Sequence, residues 1–232
     1  MTLKGKIALI TGASRGIGAA VAKRFAKEGA HVILVARSKR ALERVDTEIQ
    51  KTGTPATLVV MDLSLTSNID ELAQKVFERF GKLDVLVGNA AILGTLTPIH
   101  QTTEKSWTEV LNVNLTTNWH LLRTMDPLLR RSDNPRAMFV TSGITKKATP
   151  FWGAYAVSKT ALEHMVQIYA AENIETSIKA NLIDPGMVGT DMLKKALPGQ
   201  KMESYTQPEE VTDIFVKLAQ DDTQETGKIF KS

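Results

Sequence analysis

Tyr155 and Lys159 stand one helical turn apart in Y155-A-V-S-K159, and Ser142 precedes them at the end of an apolar run. On a helix, residues i and i+4 share a face, so phenol and ammonium would point the same way. Free tyrosine has a pKa of about 10 and is a poor base at neutral pH. A neighbouring ammonium stabilises the tyrosinate and lowers that value. Such a pair is a usable proton donor and acceptor, and Ser142 adds a hydroxyl able to hold a substrate carbonyl. The spacing alone also arises on ordinary helices, so the weight falls on its surroundings. Other chemistries fit less well. The four histidines (His31, His100, His120, His164) lack metal-ligand spacing and there is no cysteine, so no metal site is expected. No G-x-S-x-G elbow surrounds Ser142, which argues against a serine hydrolase.

A second set of residues suits a phosphate. T11-G-A-S-R-G-I-G18 follows an apolar run and opens a helical pattern. Gly12 permits a tight turn, while Gly16 and Gly18 let backbone approach a phosphate at a helix N-terminus. Ser14, Arg15 and Ile17 lie in the same loop; a ligand-free glycine turn is the plainer alternative. After the second apolar run, where an NAD site places a carboxylate on the ribose 2′-hydroxyl, positions 35–38 hold no acid. Arg37 stands there instead, and two guanidiniums, Arg15 and Arg37, fit a 2′-phosphate. A cation at Arg37 opposes the dipole of the helix that follows. Asp62-Leu63 falls where an adenine would lie, although Asp62 also suits a helix cap. Gly88-Asn89-Ala90-Ala91 offers small residues for close approach and an asparagine able to tie strands together.

These loops need a scaffold. Apolar strand-like runs at 6–11, 31–36, 56–61, 83–87, 137–140, 177–183 and 228–230 alternate with helical patterns. Helices are expected at 16–29, 38–52, 69–80, 104–131 (perturbed at Pro127), 153–172 and around 211–218. This alternation implies a three-layer, doubly wound α/β fold with a mostly parallel sheet of about seven strands. Ligands of such folds bind beyond the carboxyl ends of the strands, where the loops 11–18, 36–38, 62–66, 88–95, 141–153 and 184–200 fall. No linker or repeat interrupts residues 1–232, so one domain is expected. Hydrophobic residues make up 43% and charged residues 23%, ordinary for a chain with a sizeable core. The net charge of +4 comes from scattered basic residues without an arginine-rich run, so nucleic acid is not expected. No apolar stretch is long enough to span a bilayer. The absence of cysteine fits a reducing cytosol.

Taken together and in order, T11-G-x-x-x-G-x-G18, Asn89-Ala90, Asn114 in N-V-N114-L, Ser142, Tyr155-x-x-x-Lys159 and Pro185-Gly186 with Thr190 resemble the short-chain dehydrogenase/reductase family, over essentially the whole chain. The resemblance implies an NADP(H)-dependent enzyme that interconverts a carbonyl and an alcohol. Tyr155 would be the acid/base, Lys159 would hold the nicotinamide ribose and lower the tyrosine pKa, Ser142 would orient the carbonyl, and Asn114 would kink its helix and support a relay water. Gly12, Gly16, Ile17 and Gly18 would line the pyrophosphate. Asp62 and Leu63 would border the adenine, and Asn89 and Ala90 its ribose. Pro185, Gly186, Val188 and Thr190 would cover the nicotinamide. Arg15 and Arg37 match the family's pattern for NADP.

Two departures stand out: the family's N-N-A-G is G88-N-A-A91 here, and the chain stops soon after its last strand. A homodimer through helices 104–131 and 153–172 is expected, with Trp107, Leu111, Trp119 and Met165 as candidate contacts. Leu93 to Ile99, Phe151-Trp152 and a segment at 187–207 containing Met187, Met192, Leu193 and Leu197 are the candidate substrate walls. A moderately apolar ketone or aldehyde suits them; a 3-oxoacyl thioester is a further option, with Lys146 and Lys147 able to attract an acidic carrier. The rival from another class is an NADP-binding regulator or scaffold of the same fold without the chemistry.

Overall fold

A computed structural model describes residues 1–53 and 55–232. Seven strands form one sheet: β1 (Ile7–Thr11), β2 (His31–Ala36), β3 (Thr57–Val60), β4 (Val85–Gly88), β5 (Arg136–Val140), β6 (Lys179–Asp184) and β7 (Ile229–Lys231). Their order is β3-β2-β1-β4-β5-β6-β7, and every pairing is parallel. Strands buried on both faces read as continuous apolar runs, as IALIT and HVILVA do. The order reverses between β1 and β4. Crossovers from these two strands leave on opposite faces there, opening a crevice at their carboxyl ends.

The helices are α1 (Gly16–Lys27), α2 (Lys39–Gln50), α3 (Thr66–Phe80), α4 (Glu104–Leu111), α5 (Thr117–Leu129), α6 (Gly153–Glu172), α7 (Asp191–Ala196) and α8 (Thr212–Ala219). One core layer joins the sheet to α1, α2 and α8 through Val21, Phe25, Leu42 and Phe215. The other joins it to α3, α5 and α6 through Leu72, Met125, Leu162 and Val166. None of the helices among the described residues is long and apolar enough to cross a membrane.

The helix expected at 104–131 is interrupted at Asn114, where the resemblance implies a kink, and forms two helices. A π-helical turn at Asn112–Thr116 separates α4 from α5, and Pro127 sits within the last turns of α5 without ending it. The cause is a long-range contact. The Asn114 side chain accepts from Ile92 N at 2.8 Å and donates to Ile92 O at 2.9 Å, pinning the helix to the loop after β4. A widened turn lets it reach without breaking the helix. The short helix α7 lies in the apolar segment 187–207, and its six residues give too little periodicity to fix its bounds from the sequence.

Candidate active site

The β1–α1 turn places Gly12 at φ 65° and Gly16 at φ 54°, left-handed values that glycine adopts without cost. Gly18 meets a different demand. A Cβ there would collide with the Gly12 carbonyl and stand 2.5 Å from Asn89 Nδ2. Helix α1 starts with no side-chain cap and no acid in its first turn, so its free N–H groups and positive dipole end face the crevice. Ser14 is half-buried and Arg15 exposed at this mouth, while Ile17 packs against the core.

Asn89 does tie strand ends together. Its Nδ2 donates to Thr11 O at 2.9 Å, and its own N–H donates to Thr11 Oγ1 at 2.9 Å. Thr11 Oγ1 also accepts from Ala90 N and donates to Val87 O. Thr11, which opens the glycine motif in the sequence, is thus a hub between β1 and β4, a role set by contacts with a distant segment.

The departures at 88 and 91 have a local explanation. Space beside Gly88 is taken by the buried Phe139 ring, and a Cβ at 88 would also stand 2.6 Å from Asn118 Oδ1. Phe151 is the one non-glycine residue at positive φ among the described residues, so Ala91 needs no special backbone. Gly88→Asn, which restores the family pattern, is therefore expected to destabilise the chain by roughly 1–3 kcal/mol in urea titration, through overpacking against Phe139. A variant as stable as wild type would show that Phe139 yields freely.

Arg37 is exposed after β2, and its charge helps hold the Asp62 carboxyl below its usual range, behind the larger effect of the Ser64 backbone N–H bond. Leu63 is buried, and its carbonyl accepts from Thr117 Oγ1 at 2.9 Å. Asp62 and Leu63 thus sit between β3 and the π-helical turn.

Across the crevice, the segment after β6 lies against the glycine turn. A Cβ on Gly16 would meet the Thr190 methyl at 3.3 Å, and Arg15 Nη1 reaches Asp191 Oδ2 at 3.4 Å. Both members of that ion pair are mostly exposed, so it contributes little and yields readily to a stronger anion. Thr190 caps α7 by accepting from Leu193 N. Pro185 is half-buried, Gly186 turns at φ 69° with open space beside it, and Val188 is buried. The segment also folds on itself, with Gly189 N donating to Thr206 O at 2.9 Å. Met192, Leu193 and Leu197 are half-buried and Met187 is 59% exposed.

Ser142 follows β5 and opens a 3₁₀ turn at Gly143–Lys146; Tyr155 and Lys159 lie in the first turns of α6. Both α6 residues are buried. Lys159 Nζ donates to Val140 O at 2.7 Å and stands 5.9 Å from the centre of the Tyr155 ring. Asn114 joins them indirectly. Its Nδ2 donates to Ser158 Oγ at 3.0 Å, and Ser158 Oγ donates to Tyr155 O at 2.7 Å. Ser158 sits inside the Y-x-x-x-K motif, yet only the fold shows that it links α6 to the π-helical turn. The Trp152 ring stands edge-on to Tyr155 at 5.9 Å, and Thr97 N donates to Phe151 O at 3.1 Å. The 93–99 loop and Phe151-Trp152 therefore meet beside the phenol. Phe151 itself is held at φ 74°, a strained value for a bulky residue.

In the ligand-free chain, burial governs the phenol. Burial pushes the Tyr155 phenol up to about 12; the nearby Ser142 hydroxyl pulls it down, and the Asp184 carboxylate pushes it further up. Lys159 does not offset this, because burial pushes its own ammonium down to about 8, only partly opposed by Glu163. In the ligand-free chain, desolvation outweighs attraction between the two groups. Lys146, half exposed, pairs with the buried Asp184 at 3.1 Å.

The chain matches a family model described as short chain dehydrogenase over residues 6–201. It is 33% identical to an uncharacterized oxidoreductase, YciK, of Escherichia coli K12, over 98% of this chain and 92% of that protein. It is 31% identical to a 3-oxoacyl-[acyl-carrier-protein] reductase of Thermotoga maritima, over 99% of this chain and 96% of that one. A solved short chain dehydrogenase from Escherichia coli CFT073, complexed with NADPH, superposes with a TM-score of 0.95 at 32% identity, covering 99% of this chain and 97% of that one. With a parallel seven-stranded sheet, a glycine turn at its switch point and Tyr155 beside Lys159 at the carboxyl ends of the strands, the chain is an oxidoreductase of the short-chain dehydrogenase family.

Proposed function

We propose that the chain is an NADPH-dependent carbonyl reductase, working as one domain, in which Tyr155 protonates the alkoxide that forms, Ser142 holds the carbonyl oxygen, and Lys159 and Asn114 organise the site. The observation that carries this reading is the buried Tyr155 ring with Lys159 Nζ 5.9 Å from its centre and Asn114 tied to it through Ser158; burial also pushes the phenol up, which favours its protonated, donating form. A nicotinamide dinucleotide bound in the crevice supplies the hydride. The residues suit such a ligand. The uncapped start of α1 offers N–H groups to a pyrophosphate, and Gly12, Ser14, Gly16, Ile17 and Gly18 keep side-chain bulk away from it. Asp62, Leu63, Asn89 and Ala90 are placed for the adenosine half; Pro185, Gly186, Val188 and Thr190 are placed for the nicotinamide half. The NADPH-bound relative and the oxoacyl reductase relative support the same reading. The half-buried apolar residues of the 187–207 segment favour an uncharged, moderately apolar ketone or aldehyde.

Arg15 and Arg37 would hold the 2′-phosphate, with Arg15 exchanging its weak bond to Asp191 for it. A charge-assisted contact is worth roughly 1.5–3 kcal/mol, so Arg37→Asp should weaken NADPH binding about ten- to hundredfold and improve relative use of NADH. A panel of ketones and aldehydes assayed with NADPH and NADH side by side tests the whole reading. Equal use of both cofactors by wild type would remove the 2′-phosphate role of the arginines. No oxidation of either cofactor with any carbonyl would overturn the enzyme itself.

A further inference from the structure

We propose that Glu163 is a positioning residue for Ser142, its carboxylate clamping both flanks of the Ser142 turn onto α6, the helix that carries Tyr155 and Lys159. Glu163 Oε1 accepts from Thr141 Oγ1 at 2.7 Å and from Thr145 Oγ1 at 3.0 Å. Ser142 lies between these two threonines in the chain. Thr141 is buried, and its backbone N–H donates to Ile183 O of β6 at 2.8 Å, so it is fixed to the sheet. Thr145 stands on the 3₁₀ turn itself. One carboxylate oxygen therefore joins the sheet, the turn and α6.

The turn needs such a tie. Bonds of 3₁₀ type have poorer geometry than those of an α-helix, and the local ones here are long. Thr145 N donates to Ser142 O at 3.2 Å, and Ile144 N to Ser142 Oγ at 3.4 Å. Thr145 Oγ1 also lies 3.1 Å from Ser142 O, but the hydroxyl has one proton and the carboxylate is the stronger acceptor. A further tie on the turn runs from Lys146 to Asp184, and the Lys146 side chain is 50% exposed, so solvent weakens it. Helix formation gives no reason for an acid at 163, which lies in the middle of α6, away from the first turn where the dipole favours one. Glu163 does support the Lys159 ammonium one turn earlier. That support acts through charge, whereas the clamp acts through an acceptor oxygen, so substitution separates the two.

The catalytic consequence rests on the reading of Ser142 above; the clamp itself does not. Glu163→Gln keeps an acceptor oxygen and removes the charge. Glu163→Leu removes both. Thr141→Val combined with Thr145→Val removes the donors and leaves the charge. Amide hydrogen exchange in the ligand-free protein reads the turn directly. In Glu163→Leu and in the double valine variant, the Thr145 amide should exchange about tenfold faster than in wild type, with the Leu182 amide of β6 unchanged, while Glu163→Gln should match wild type. In carbonyl reduction the same two variants should lose about ten- to hundredfold in kcat, since a misplacement of about 1 Å costs that much, and Glu163→Gln should stay within about threefold of wild type. The NADPH dissociation constant of the double valine variant should not move. A Glu163→Gln variant as impaired as Glu163→Leu would assign the effect to charge on Lys159 and overturn the clamp. Unchanged Thr145 exchange, or wild-type kcat, in the double valine variant would overturn it as well. Should Glu163→Leu fail to fold, the double valine variant decides, because valine matches threonine in shape. Faster Thr145 exchange, in a protein whose wild type reduces no carbonyl, would uphold the clamp and overturn the reading of Ser142 instead.

Discussion

Tyr155→Phe is expected to lower carbonyl reduction by about 10²–10⁴-fold while leaving cofactor binding intact, because general acid catalysis typically contributes that much. The substitution removes one oxygen and little else. The ring keeps its burial and its edge-on contact with Trp152. The backbone link from Asn114 through Ser158 ends on the Tyr155 carbonyl, which the variant retains. The loss should therefore fall on kcat, with the dissociation constant for NADPH, measured by titration, unchanged. Since the phenol sits at about 12 in the free chain, it remains a donor throughout the neutral range. A Tyr155→Phe variant with wild-type kcat would show that the proton comes from another group.

Lys159→Met is expected to abolish most turnover and to stabilise the fold at neutral pH. Removing one fixed charge from a preorganised site typically costs about 10²–10³-fold in kcat. Stability moves the other way because burial pushes Lys159 from the ordinary lysine value of 10.5 down to about 8. At pH 7 the amine is charged in both folded and unfolded states, and the folded state carries a penalty of roughly 3 kcal/mol. Losing the bond to Val140 O returns about 1 kcal/mol of that, so a net gain on the order of 1–2 kcal/mol remains. The pH dependence gives the sign. A lysine with a lowered folded pKa destabilises most below about pH 8, and the penalty fades as pH rises from 8 to 10.5. The advantage of Lys159→Met in urea denaturation should shrink over that window. A variant less stable than wild type at pH 7 would mean the ammonium is better solvated than its burial indicates. The same titration should appear in wild-type kcat/KM for reduction, falling above about pH 8 as the lysine loses its charge.

Both predictions rest on residues whose spacing could be read directly, and the reason is local geometry. A helix places i and i+4 on one face whatever surrounds it, so Tyr155 and Lys159 were legible, and α6 spans the expected 153–172. Gly12 and Gly16 were legible because a left-handed turn admits few other residues. Strand and helix order followed from apolar periodicity, and so did the carboxyl edge where the glycine turn after β1 and the Ser142 turn after β5 lie. Contacts between distant segments were not legible. Thr11 as a hub, Ser158 as a link and the closure of Phe139 and Asn118 over Gly88 each join parts of the chain that nothing local connects.

The sequence alone determined the layers, the order of elements and which side chains could do chemistry, because hydrophobic period, turn stereochemistry and helical spacing act within a few residues. Tertiary structure decided how the long helix is interrupted, what Lys159 and Lys146 are each bonded to, and in which direction the ionisation of the site's groups is pushed. Asn114 bends its helix because Ile92 is there to bind it. In the ligand-free chain Tyr155 is raised because burial, with Asp184 adding to it, outweighs the pull of the Ser142 hydroxyl. Desolvation and Coulomb energy depend on what packs around a group in space, and only the folded chain supplies that.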